Sequence, residues 1–229
     1  MKAFERLIVA LDVPTAEAAH RLVDQLAGEV GMFKVGHELY TAAGPAFVRQ
    51  LVGDGHKVFL DLKFHDIPNT VAGAVGSAAA LGVSFVDVHA LGGPAVLEAA
   101  VGALPGLGAR LLAITILTSH DRETLSRIGI GGDVLESVLR LARLARDARV
   151  DGVVASPEEI EPIREACGDE LLIVTPGIRP RGAASGDQSR IATPRDARVA
   201  GADYVVVGRP ITRSADPKGA ARRIAEELA

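Results

Sequence analysis

The sequence predicts a single (β/α)8 barrel occupying residues 1–229, and three observations predict it. Short apolar runs rich in Val, Ile and Leu recur from end to end, segments of helical period lie between them, and polar residues gather where the apolar runs finish. Near-continuous apolar strands imply burial on both faces, as in a parallel sheet. Catalytic groups of a barrel belong at the C-terminal ends of its strands, where these polar residues fall.

The eight runs are RLIVALDV (6–13), MFKVG (32–36), KVFLDLKF (57–64), SFVDVHAL (84–91), RLLAITILT (110–118), DGVVASP (151–157), LLIVTPGI (171–178) and DYVVVGRP (203–210). Between the fifth and sixth, residues 134–150 place Val134, Val138, Leu141, Ala145 and Ala148 on one helical stripe. Ser156, Pro157 and Glu159 read as an N-cap, a proline at N1 and a capping-box glutamate. Asp216–Pro217 opens the last helix. The competing α/β architecture, a doubly wound open sheet, carries a Gly-rich first turn. Here the first run ends LDVPT with no GxGxxG, no Ser/Gly tract divides the chain, and no internal repeat is present.

Composition narrows the class. Hydrophobic residues at 48% and charged residues at 24% describe a globular chain with ample core material. Aromatics make up only 3% and Trp is absent, so aliphatic side chains must fill most of the interior. A formal charge of −4 gives no reason to expect nucleic acid, and no basic run suggests a membrane surface. The single Cys167 fits a reducing compartment. The N-terminal stretch carries Glu5, Arg6 and Asp12 around a short apolar run, unlike a signal peptide, so a cytoplasmic protein is expected.

The polar residues at the strand ends are Asp12, Lys34, Asp61 with Lys63, Asp87 with His89, Thr118 and Arg209. Side chains alternate along a strand, so Asp61 and Lys63 share a face, and in a barrel that face is the interior. Lys34 from the second strand enters the same space, while Asp66 lies past the end of the third. Burying several charges costs several kcal/mol per ion unless they are paired, so such a cluster points to chemistry. His89 reads as a hydrogen-bonded histidine or, with Asp87, as a metal ligand; no metal set of adequate count and spacing stands out. The polar connection 176–194 is long for a compact barrel and suggests a lid or ligand-binding loop. Gly208 and Arg209, with Arg179 and Gln188, suggest a phosphate site after strands seven and eight.

FLDLKFHDIPNT (59–70) resembles the active-site signature of the orotidine 5′-phosphate decarboxylase family, Asp-x-Lys-x-x-Asp-Ile-Pro-x-Thr. The likeness continues in IVALDV, FKVG, ILTS, TPGIRP, GDQSRIATP and VVVGRPIT, in order along nearly the whole chain. The resemblance implies conversion of orotidine 5′-phosphate to UMP and carbon dioxide, without metal or other cofactor. It implies Lys63 as proton donor, Asp61 and Asp66 as flanking carboxylates, and Lys34 as the second lysine of a charged array. Asp12 and Lys34 then contact the ribose, Thr118 lies beside the pyrimidine, and Arg179, Gln188, Gly208 and Arg209 serve the phosphate. The family resemblance further implies a homodimer in which Asp66 and Thr70 reach into the partner's site, and closure of the 179–190 loop over phosphate. Two alternatives stay open: a magnesium-dependent sugar-phosphate barrel of the hexulose-phosphate synthase or keto-gulonate-phosphate decarboxylase type, and a catalytically silent nucleotide-binding barrel.

Overall fold

The computed structural model describes residues 1–104, 106, 108–180 and 192–229. Eight parallel strands close into a barrel in chain order: β1 Leu7–Ala10, β2 Met32–Gly36, β3 Val58–Phe64, β4 Phe85–His89, β5 Arg110–Ile114, β6 Gly152–Val154, β7 Leu172–Thr175 and β8 Tyr204–Val207. Closure comes from β1 against β8, with Leu7 opposite Val205 and Val9 opposite Val207. The helices are α1 Ala16–Leu26, α2 His37–Gly53, α3 Pro68–Ala79, α4 Pro94–Gly102, α5 Arg122–Arg127, α6 Val134–Asp147, α7 Ile160–Cys167, α8 Pro194–Ala200, α9 Arg209–Thr212 and α10 Pro217–Glu227. Among the described residues, no helix is long and apolar enough to cross a membrane.

Local chemistry accounts for the helix starts. Thr15 caps α1 by accepting from Ala18 N, Asp121 caps α5 through Thr124 N, and Asp216 caps α10 through Gly219 N. Ser156 and Glu159 form the expected capping box, but one 3-10 turn (Pro157–Glu159) intervenes before α7 begins. Helix α6 starts from an Asp133–Glu136 box and buries Val138, Leu141 and Ala145, while Ala148 closes it as the C-cap.

Most strands stop short of the apolar runs that signal them. The run 110–118 yields a strand only to Ile114, and 203–210 only to Val207. Beyond these points the chain leaves the ladder to form the rim of the barrel, so Thr118 sits in a connection and Arg209 opens α9.

Alternation divides the core into two layers. Odd-numbered positions of β1 and β2 and even-numbered positions of β3 and β4 face the helices, as Leu7, Val9, Phe33, Val35, Leu60 and Val86 do. The opposite set fills the barrel: Ile8, Met32, Phe59, Phe85, Leu112 and Val174 among them. Phe85 packs edge-on against Phe59 at 6.0 Å and Tyr204 at 5.2 Å between ring centroids. Scarce aromatics thus form part of an interior plug on which the polar layer rests.

Candidate active site

One step up β1 to β4 from that plug, the interior becomes charged, while β5 to β8 stay apolar with Ile114, Val154, Pro176 and Val206. Met32 is followed on the same face by Lys34, Phe59 by Asp61 and Lys63, Phe85 by Asp87 and His89, and Ala10 by Asp12 in the connection after β1. The four residues Asp12, Lys34, Asp61 and Lys63 form a chain of alternating charge. Lys34 Nζ lies 3.2 Å from Asp12 Oδ1 and 3.1 Å from Asp61 Oδ2, and Lys63 Nζ donates to Asp61 Oδ1. Side-chain exposure falls from 60% at Asp12 to 10% at Lys34 and 11% at Asp61, then rises to 30% at Lys63, so the middle of the array is its buried part.

The electrostatics follow from that burial. Desolvation alone would raise the Asp61 carboxyl, but the two ammonium groups of Lys34 and Lys63 hold it well below the usual carboxylate range. Desolvation likewise opposes the charge on Lys34, and Asp61 and Asp12 overcome it, raising its value.

Lys63 reaches this space through an irregularity that the sequence pattern does not announce. Pairing between β3 and β4 steps four residues along β3, from Leu60 to Phe64, while stepping two along β4, from Val86 to Val88. Two extra residues preserve the in–out parity, so Lys63 still faces inward as alternation predicts. Its backbone, however, is left-handed at φ +48°, a conformation that costs a non-glycine residue roughly 1–2 kcal/mol. Freed from the ladder, the Lys63 N–H donates to the Asp87 side chain at 2.8 Å. Asp87 is fully buried. Its strand-end position and interior parity were the signals by which it could have been singled out as a site residue.

A cavity of about 160 Å³ adjoins this wall, lined opposite the charges by Ile114, Ile116, Val154 and Pro176, with Thr118 at its rim. It shares Lys34, Pro176 and Val206 with a second cavity of about 370 Å³ that carries Asp12, Arg179, Gly208, Arg209 and, unforeseen from sequence, Arg213. Arg179 is buried and donates to Ile178 O at 2.9 Å; burial first, then the Arg209 charge, lower its pKa. Two guanidinium groups close enough to disfavour one another make this end of the site suited to an anion.

Glycine at two positions keeps the space open. A Cβ on Gly36 would stand 2.9 Å from Lys34 Nζ, so any side chain there displaces the ammonium. At Gly208, the N-cap of α9, an added Cβ would make only ordinary contacts, 3.6 Å from Ala10 Cβ and 3.9 Å from Asp12 Oδ2. Internal packing therefore does not demand glycine at 208, which lines the second cavity.

Three expectations fall elsewhere. Asp66 and Thr70 are exposed, and within the chain Asp66 Oδ1 accepts from Ile67 N at 2.6 Å. Gln188 and most of the 179–190 loop lie outside the described residues; at the loop's two ends, Arg179 N donates to Ala192 O at 2.9 Å. His89 stacks on His65 at 5.3 Å between ring centroids, and its Nδ1 is buried without the hydrogen bond expected of it. Burial, reinforced by His65, Lys63 and His120, lowers His89 to about 4. Among the described residues, no group of three or more His, Cys, Asp or Glu side chains is placed to hold a metal ion.

Comparison with known proteins identifies the family. Residues 5–224 match the model of the orotidine 5′-phosphate decarboxylase / HUMPS family. The chain is 55% identical to an orotidine 5′-phosphate decarboxylase of Moorella thermoacetica, over 100% of this chain and 94% of that protein. It is 57% identical to one of Halorhodospira halophila, over 98% and 96% of the two chains. The crystal structure of orotidine 5′-phosphate decarboxylase from Lactobacillus acidophilus superposes with a TM-score of 0.87 at 39% identity, covering 97% of this chain and 98% of that one. The chain is a member of the orotidine 5′-phosphate decarboxylase / HUMPS family.

Proposed function

We propose that the protein decarboxylates orotidine 5′-phosphate to UMP and carbon dioxide, completing de novo UMP synthesis. The observation that carries this reading is the array Asp12–Lys34–Asp61–Lys63, set between a small, largely apolar cavity and an arginine-lined one. The substrate's pyrimidine occupies the first cavity beside Thr118, its ribose meets Asp12 and Lys34, and its phosphate meets Arg179, Gly208 and Arg209, with Gln188 joining from the loop.

The bond from C6 to the carboxylate breaks, its electron pair stays on C6, and carbon dioxide departs. The Lys63 ammonium stabilises that charge and transfers one Nζ proton to C6, after which solvent restores the proton. A fixed charge in a water-poor cavity is worth several kcal/mol to such a transition state, since it needs no reorganisation as charge develops. Asp61 anchors both lysines. Asp61 also lies where a substrate carboxylate would approach Lys63, so repulsion in the ground state is relieved as carbon dioxide leaves. Phosphate binding far from the reacting bond organises the site, with the 179–190 loop closing over it.

The protein works as a homodimer in the cytoplasm. Exposed Asp66 and Thr70 lie close in the chain to Ile67, which is 67% exposed; Leu91 in the β4–α4 connection is 38% exposed. Such a surface suits a two-fold interface that carries Asp66 and Thr70 to the partner's Lys63. The free Cys167 fits a reducing compartment.

The deciding experiment follows orotidine 5′-phosphate by ultraviolet absorbance with and without EDTA. Turnover that survives chelation is expected. No turnover, or magnesium-dependent turnover of a hexulose or keto-gulonate phosphate instead, overturns the reading.

A further inference from the structure

Among the described residues of the site, Asp87 is the one fully buried carboxyl group, and the proposed reaction leaves it without a task. Its Oδ1 accepts the Lys63 N–H at 2.8 Å. Its Oδ2 is buried and receives no hydrogen bond. The charged groups facing it are Asp61 and Lys63, both from β3; across β5 its register partner is the apolar Leu112. Asp61 and Asp87 each follow the register pair Leu60–Val86 onto the interior face of neighbouring strands, and two like charges side by side in a buried site disfavour double ionisation. Asp61 holds two ammonium groups and must be the ionised member. A bare acceptor oxygen in the interior costs about 1–3 kcal/mol, and a proton on Oδ2 converts that orphan into a donor aimed at Asp61.

We propose that Asp87 is a positioning residue for Lys63 that works as a neutral carboxylic acid, its Oδ1 pinning the Lys63 backbone and its Oδ2–H donating to Asp61. In this state it has the hydrogen-bonding pattern of an amide: one acceptor, one donor, no charge. The array of two carboxylates and two ammonium groups stays balanced, and the left-handed turn that aims Lys63 gains the partner it lost from the ladder. Burial, and then the Asp61 charge, push the Asp87 carboxyl well above its ordinary range, which agrees with the geometry.

The kinetic part of the test rests on the decarboxylase reading; the spectroscopic part does not. Infrared spectra of the parental protein and Asp87→Asn at pH 7 should differ by one protonated-carboxyl C=O stretching band, present only in the parent. Asp87→Leu should lower kcat on the order of 10²-fold with KM little changed, as for a misplaced catalytic group, and Asp87→Asn should restore most of that loss. Absence of the band in the parent, or its persistence in Asp87→Asn, overturns the neutral acid. Full activity of a folded Asp87→Leu, or an Asp87→Asn as impaired as Asp87→Leu, overturns the positioning role. Should Asp87→Leu fail to fold, the infrared comparison and the kcat of Asp87→Asn decide. Loss of the band in a protein that turns over no orotidine phosphate would separate this inference from the function proposed above.

Discussion

The lower and upper halves of the barrel interior are built by the same strands and differ completely in chemistry. Below, Ile8, Met32, Phe59, Phe85 and Val174 interlock as an apolar plug; one layer above stand Lys34, Asp61, Lys63 and Asp87. The change occurs within two residues on β2, β3 and β4, whereas β5 to β8 stay apolar and form the opposite wall. Because a strand alternates, the helix-facing residues between the layers, Phe33 and Leu60 for instance, stay apolar and keep the outer core continuous. The charged layer is therefore held by ordinary packing on two sides, the plug below and the outer core around it. This explains how the fold tolerates a costly cluster: the charges pair with each other, and the plug and outer core supply the stability.

Substitutions in the two layers should separate activity from stability. The largest effect belongs to the upper layer. Lys63→Ala removes both the charge and the proton and should lower kcat on the order of 10⁴-fold or more while the thermal midpoint stays near parental. Asp66→Ala should also be severely impaired, yet mixing the two variants should produce hybrid dimers with one intact site. Recovery of activity on mixing shows that Asp66 acts across the interface; continued inactivity of hybrids proven to form breaks the dimer proposal.

In the lower layer, Phe59→Ala should cost about 3–5 kcal/mol of stability through lost transfer energy and the cavity left behind. Urea denaturation measures this directly. A Phe59→Ala protein of parental stability and abolished activity would erase the distinction between layers.

Arg209→Ala tests the anion end. Loss of a charge-assisted hydrogen bond should lower kcat/KM by about 1.5–3 kcal/mol, roughly 10- to 150-fold, for the phosphorylated substrate. The phosphate-free nucleoside should respond far less, and equal losses on both count against a phosphate role.

The smallest effect lies at the boundary, with His89. Its value in the folded chain is lowered to about 4 from an ordinary 6.5, so within that interval the unfolded chain binds more protons. The contribution of neutral His89 is complete above about pH 6.5 and is lost as pH falls towards 4. A urea midpoint measured across this interval should fall less steeply with acidity in His89→Gln than in the parent; parallel curves would show that His89 has no part in it.

Much of this organisation is legible in the residues. Eight apolar runs mark all eight strands, and parity along each predicts that Lys34, Asp61 and Lys63 share one space with Asp12 at its mouth. Arg179 and Arg209 do line a common cavity. The strand ends are less legible, because leaving a ladder is a matter of where neighbouring strands stop, and apolar residues such as Ile116 continue into the rim. His89 illustrates another limit. Its position invites a hydrogen bond, but the ring stacks on His65 instead, a contact set by the path of a different loop.

By itself the sequence determined the barrel, its interior face and the types of residue gathered at one end, because strand alternation and apolar length are local properties. Only the tertiary structure decided how Lys63 is aimed and that Asp87 supports it. The two-residue bulge, the left-handed turn and the buried carboxyl meet through the register between β3 and β4. That register is a relation between segments some twenty residues apart, and no pattern within either strand contains it.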